Sequence, residues 1–210
     1  MSQIKQNIAE KLIQIKAIKL QPTNPFTWAS GWKSPIYCDN RLTLSFPEIR
    51  DFIRDEFVRQ IKENYADVEV IAGVATGAIA QGVLVAQALN LPFVYVRPTA
   101  KNHGMGNQIE GHLPEGKKVV VIEDLISTGG SSLKAVASLR SAKANVLGMV
   151  ATFTYDFPLA QNNFEEANCP LIVLSDYHAL LDYAKSVNYV EEKYLDTLSE
   201  WRKDPSVWNA

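Results

Sequence analysis

The chain has 210 residues, 47% of them hydrophobic, which is enough for one full sheet-and-helix core. A formal net charge of −2 and a pI near 5.9 leave no general basic field for duplex nucleic acid. The two cysteines, Cys38 and Cys169, lack the spacing of a metal site or a disulfide framework, which points to a reduced cytoplasmic compartment. Lysines interrupt the apolar residues of segment 1–19, against a signal peptide, and no stretch reaches the ~20 apolar residues of a membrane span.

Ile4, Ile8, Leu12 and Ile15 recur at helical spacing and predict an amphipathic helix ending near Lys19, packed on the body or on a partner subunit. Pro22, Pro25, Gly31 and Pro35 then interrupt an aromatic, polar segment that reads as a small hood of loop and short strands, closing at about residue 45. A second helix is expected from about Pro47 to Asn64, with Ile49, Phe52, Ile53, Phe57 and Ile61 on one face.

Strands and helices alternate from there: Val68 to Ala75, Ile79 to Leu89, Phe93 to Arg97, Lys118 to Asp124, Ser132 to Ala142, Val146 to Phe153, Leu159 to Ala167, Leu171 to Leu174. Such alternation predicts an α/β fold with a mostly parallel twisted sheet flanked by helices. The tail His178 to Leu198 reads as helical and Trp201 to Ala210 as a polar end. Without repeats or low-complexity tracts, residues 1–210 read as a single domain with an N-terminal helix and hood.

The richest segment is Val119 to Ser132. Val119, Val120, Val121 and Ile122 form a strand apolar on both faces, as in a covered parallel sheet. Glu123 and Asp124 follow at its carboxyl end, where open α/β sheets place ligands, and are expected at a solvent-facing edge as acceptors for the vicinal hydroxyls of a ribose. Leu125 and Ile126 lead to a turn of small residues, Ser127, Thr128, Gly129, Gly130 and Ser131, before the next helix. Backbone N–H groups in such a turn surround a phosphate without any basic side chain. The spacing fits neither a Walker loop nor a dinucleotide fingerprint. The alternative is an ordinary strand–turn–helix, and the two acids immediately before the turn argue against it.

Three further segments carry chemistry. The connection Pro98 to Gly116 is long for a compact α/β domain, and Lys101-Asn102-His103-Gly104-Met105-Gly106-Asn107-Gln108-Ile109-Glu110-Gly111 combines cations, glycine hinges and amides, as expected of a mobile lid rather than a solvated basic loop. Lys101 and His103 are placed to bring charge to a leaving pyrophosphate, and Arg97 to hold a phosphate through its planar fork. Thr76 and Gly77, after the first strand of the alternation, offer either a second phosphate turn or simply close helix–sheet packing. The hood, Phe26-Thr27-Trp28-Ala29-Ser30-Gly31-Trp32-Lys33-Ser34-Pro35-Ile36-Tyr37-Cys38-Asp39-Asn40-Arg41, either encloses a planar heterocycle or caps the core.

The acid pair and loop closely resemble the phosphoribosyl-pyrophosphate signature of the type I phosphoribosyltransferases. The hood pattern Phe-Thr-x-x-Ser-Gly-x-x-Ser-Pro-x-Tyr-x-Asp-Asn-Arg and the lid pattern Lys-x-His-Gly-x-Gly-Asn-x-Ile-Glu-Gly resemble the orotate-using branch of bacteria, from Phe26 through Tyr155. The resemblance implies transfer of a 5-phosphoribosyl group from phosphoribosyl pyrophosphate to orotate in pyrimidine nucleotide (UMP) synthesis, with Mg²⁺ as cofactor. It also implies a homodimer with shared active sites. It assigns Arg97, Lys101 and His103 to the pyrophosphate end, Glu123 to Ser131 to the ribose 5-phosphate, and Ser127 also to orotate. Lys101, His103 and Asp124 are the catalytic candidates, and no protein residue is expected to be a dedicated metal ligand. Some family members carry lysines where this chain has Ala29, Gly77 and Pro98, and an orotate-contacting arginine where it has Tyr155, so those contacts do not transfer. The rival readings are a transferase for another base, against which the hood and lid argue, and a phosphoribosyl-pyrophosphate-sensing regulator of nucleic acid, against which the acidic balance argues.

Overall fold

A computed structural model describes residues 3–28, 31–99, 108–206 and 208. Its centre is a six-stranded sheet in the order β10-β9-β8-β5-β6-β7, formed by β5 (Val70–Val74), β6 (Phe93–Val96), β7 (Ile109–Glu110), β8 (Lys118–Ile126), β9 (Asn145–Thr154) and β10 (Leu171–Asp176). Every pairing is parallel except β6 with β7. The predicted sheet is therefore present, with β7 as an antiparallel edge inside the long connection after β6.

The apolar residues of β8 divide by parity between two cores. Val120 and Ile122 pack with α1 (Gln3–Gln14), α2 (Pro47–Asn64), α3 (Ala78–Leu89) and α6 (Tyr177–Ser186). Val119 and Val121 pack with α4 (Gly130–Ser141) and α5 (Pro158–Glu166), and Ile126, at the end of the strand, joins this second core although its parity is that of Val120 and Ile122. A strand buried on both faces needs apolar residues at both parities, which is what its sequence supplies. On α2 the expected stripe is buried at Ile49, Ile53, Phe57 and Ile61, while Phe52 is half-buried beneath the Lys11 ammonium.

Three expectations change. The first helix stops at Gln14, because Lys16 turns the chain with a φ of 58°; Ile18 belongs to β1 (Ile18–Leu20), antiparallel to β4 (Ile36–Cys38). Alternate burial of Ile18 and Leu20 shows a period of two that the helical reading overran. β8 runs on to Ile126 rather than ending at Asp124, since Leu125 and Ile126 still pair with Phe153 and Thr154. The tail is two helices, α6 and α7 (Leu195–Lys203), separated by a left-handed Asn188 and a 3-10 turn at Glu192–Tyr194. Trp201, expected in a polar end, is fully buried on α7. Among the described residues no helix is long and apolar enough to cross a membrane.

Candidate active site

After β5 the chain goes to β6 on one side and then to β8 on the other, so strand order reverses between β5 and β8. A crevice opens at such a switch point outside the carboxyl ends of the strands. The loops bordering it are Ala75 to Gly77, which contains a cis Ala75–Thr76 peptide, and Ser127 to Gly129.

The second loop is held open by packing and by its brace. Gly129 has a φ of 81°, and a Cβ there would lie 2.8 Å from Cε2 of Phe164 on α5. Only glycine fits both demands without strain. Asn163, on the same helix, donates its side-chain amide to the Thr128 carbonyl at 2.8 Å. Gly130 and Ser131 already belong to the first turn of α4, so the loop is shorter than the sequence suggests and the orphan N–H groups of that turn face it.

The two acids point to opposite faces of β8. Asp124 is half-buried and faces the crevice side; it lies against Gly77, where any Cβ would run into its carboxylate. That close approach is a physical reason for glycine at position 77. Glu123 corrects the expectation of a solvent-facing edge: it is 4% exposed, accepting from the Asp124 main-chain N–H at 3.0 Å and from the Ser132 hydroxyl at 2.8 Å. Burial pushes its carboxyl well above the usual carboxylate range, and the neighbouring Asp124 charge adds to the effect. Ile126 is likewise a core residue, while Leu125 and Ser127 line the cleft beside the hood.

The hood meets this edge directly. Asn40 donates to the Asp124 carbonyl at 2.6 Å and accepts the Cys38 thiol at 3.3 Å. Burial, followed by the Asp124 and Asp39 charges, raises the Cys38 thiol well above its normal range, so it stays protonated. Thr27, Trp28, Tyr37, Cys38, Leu125, Ser127 and Tyr155 enclose a cleft of about 280 Å³. Trp28 stacks on Tyr155 with centroids 5.0 Å apart. A flat, mostly apolar slot beside a half-buried acid is suited to a planar ring.

Arg97 stands at the root of the long connection. Its main-chain N–H donates to the Gln108 carbonyl at 2.8 Å, and its guanidinium faces Glu110 at 3.5 Å. The Ser138 hydroxyl on α4 donates to the Gln108 side chain at 2.8 Å, tying that root to the phosphate-loop helix. Gly77, in the turn it forms with Thr76, lies directly against the Asp124 carboxylate. Lys101 and His103 lie outside the described residues, as does Ala29. Sequence reasoning missed the roles of Ser132, Asn163 and Trp201; only the Asn40 contact had a trace, in the Asp-Asn-Arg of the hood.

A mostly parallel sheet with an acid pair and a backbone loop at its switch point has the architecture of the Phosphoribosyl transferase domain, and that family matches residues 48–170. The chain is 60% identical over 210 residues to the orotate phosphoribosyltransferase of Bacteroides thetaiotaomicron, covering 100% of this chain and 99% of the relative. It is 55% identical over 205 residues to that of Listeria innocua, covering 98% of each. The crystal structure of orotate phosphoribosyltransferase from Aeropyrum pernix superposes with a TM-score of 0.76 at 26% identity, over 88% of this chain and 99% of that one. The chain belongs to the orotate phosphoribosyltransferase family.

Proposed function

We propose that this chain transfers the 5-phosphoribosyl group from phosphoribosyl pyrophosphate to orotate, giving orotidine 5′-monophosphate and pyrophosphate in pyrimidine synthesis. The observation that carries the reading is an aromatic slot that takes Leu125 and Ser127 into its lining and so adjoins the glycine turn and helix start that follow Asp124, in a chain of this family. The ribose 5-phosphate is taken by the N–H groups of Ser127 to Ser131 and the α4 N-terminus. The orotate ring enters between Trp28, Tyr37 and Leu125, with Ser127 reaching both substrates.

No enzyme nucleophile is required, because pyrophosphate leaves once its charge is neutralised. Arg97, Lys101 and His103 supply positive charge at that end, and the Thr76–Gly77 turn offers N–H groups. As the bond to pyrophosphate lengthens, positive charge grows on the ribose, and the Asp124 carboxylate favours it. Glu123, turned inward, orients Asp124 through its main-chain N–H and holds Ser132. Closure of the lid excludes water from the sugar.

Mg²⁺ suits this donor set. Asp124 offers a hard carboxylate oxygen beside the crevice, the donor type that Mg²⁺ takes. When bound, the ion would supply positive charge to neutralise the diphosphate; substrate oxygens would hold it for the most part, with Asp124 at most assisting through water. The reading includes a homodimer in which each lid serves the neighbouring site. It also places the enzyme in the cytoplasm, in keeping with the free thiols Cys38 and Cys169.

The test is a spectrophotometric assay for loss of orotate absorbance with phosphoribosyl pyrophosphate and Mg²⁺, with uracil and purine bases as controls. Turnover of orotate alone is expected. Consumption of a purine with orotate untouched would overturn the reading.

A further inference from the structure

The aromatic rings at and behind the slot come from three distant parts of the chain. Trp28 belongs to the hood, Tyr155 follows β9, and the ring that meets both is Trp201 on α7. The Trp201 ring stands perpendicular to each, at centroid distances of 5.6 Å and interplanar angles of 88° and 87°. It is boxed from behind by Phe157 at 5.3 Å and Tyr177 at 5.4 Å. It is fully buried and does not line the slot, so it cannot touch a ligand there.

Polar anchors fix where that ring stands. The Trp201 indole N–H donates to the Lys33 carbonyl at 3.2 Å, in the hood hairpin of β2 (Phe26–Thr27) and β3 (Lys33–Ser34). The Tyr177 hydroxyl donates to the Leu198 carbonyl at 3.1 Å. Arg202 donates to the carbonyl of Asp156, the residue after Tyr155, at 2.6 Å. Helix α7 is thereby bonded to the hood on one side and to the end of β9 on the other. The phosphate loop is braced separately, by Asn163 and Phe164 of α5.

Resting on the reading of this slot as the orotate site, we propose that Trp201 is a positioning residue for the base. It packs at right angles against two stacked rings and sets their separation and tilt before the base arrives. The C-terminal helix thus governs acceptance of the planar substrate without contacting it. Two stacked rings at an open cleft otherwise slide and tilt at small cost, and a wall fixed in advance spares the base that ordering on binding. Phosphoribosyl pyrophosphate, held by the other brace, is indifferent to the change.

The experiment is steady-state kinetics with each substrate varied independently for Trp201→Leu, Trp201→Phe, Arg202→Gln and Trp28→Leu. Trp201→Leu should raise KM for orotate about three- to tenfold, the size of a lost aromatic contact, with KM for phosphoribosyl pyrophosphate within about twofold. Trp201→Phe, which keeps an aromatic ring at that place, should restore most of the difference. Should Trp201→Leu fail to fold, Arg202→Gln loosens the same helix and should move KM for orotate in the same direction by a smaller factor. If Trp28→Leu raises KM for orotate while the Trp201 and Arg202 variants do not, the slot is the base site and Trp201 is only core, which overturns the proposal. A uniform loss of kcat with both KM values unchanged also overturns it. If Trp28→Leu leaves KM for orotate unchanged, the base-site reading falls and the proposal with it.

Discussion

The side chain of Asn40 donates to the main-chain carbonyl of Asp124 at 2.6 Å, across 84 residues of sequence. This bond joins the hood to the strand that carries the acid facing the crevice, and Asn40 is itself almost fully buried, with its oxygen engaged by the Cys38 thiol. Replacing it leaves a buried carbonyl without its donor.

Asn40→Leu should therefore lower stability by about 1–3 kcal/mol, the range for an orphaned buried acceptor. It should also lower kcat/KM for orotate, because the hood no longer registers on Asp124. Urea denaturation and initial rates on the same preparation check both. Unchanged stability with unchanged kinetics would show that the hood is held elsewhere.

Glu123 makes a prediction about pH. Its carboxyl is raised above its ordinary value of 4.5, with burial the first cause. The folded chain therefore binds this proton more tightly than the unfolded chain does. The stability it contributes is fully present below about 4.5 and is lost as pH rises through the folded value. Glu123→Gln has no proton to lose, so its stability relative to the parent should improve progressively as pH rises above about 4.5. Glu123→Leu, which leaves Ser132 and the Asp124 N–H unpaired, should be destabilised at every pH. Parallel stability–pH curves for parent and glutamine variant would contradict the assignment.

Adjacent glycines should behave in opposite ways. Gly129→Ala forces a methyl into a left-handed conformation and onto Phe164, and should cost more than about 1 kcal/mol while weakening phosphoribosyl pyrophosphate binding. Gly130→Ala is in the first turn of α4, with its nearest heavy atom 3.9 Å away, and should be neutral or slightly stabilising. Thermal melts of the two variants separate these outcomes.

Lys101 tests the lid and the dimer together. Lys101→Ala should lower kcat far more than it raises KM for phosphoribosyl pyrophosphate, if its charge meets the leaving group mainly in the transition state. Mixing it with an Asp124→Asn chain puts both lesions in one site of each heterodimer and none in the other. Recovery towards about half activity per heterodimer is expected from two shared sites. No recovery, with subunit exchange demonstrated, would mean that each lid serves its own chain.

The sequence by itself determined the parts whose physics is local. Four apolar β-branched residues at Val119 to Ile122 specify a strand buried on both faces, and small residues from Ser127 onward specify a turn into a helix. The helix from about Pro47 to Asn64 was legible, because Pro47 opens it and Ile49, Ile53, Phe57 and Ile61 keep one face. Family motifs in the hood and lid carried the reading of the reaction. Tertiary structure alone decided which acid faces the crevice: two adjacent carboxylates on a strand point opposite ways, and nothing in Glu123-Asp124 says which face α4 covers until Ser132 arrives from that helix. It likewise decided the fate of Trp201. The polar residues around it read as a surface tail, whereas its burial comes from Trp28, Tyr155, Phe157 and Tyr177, four rings that are remote in sequence and meet only once the sheet, hood and C-terminal helix have packed.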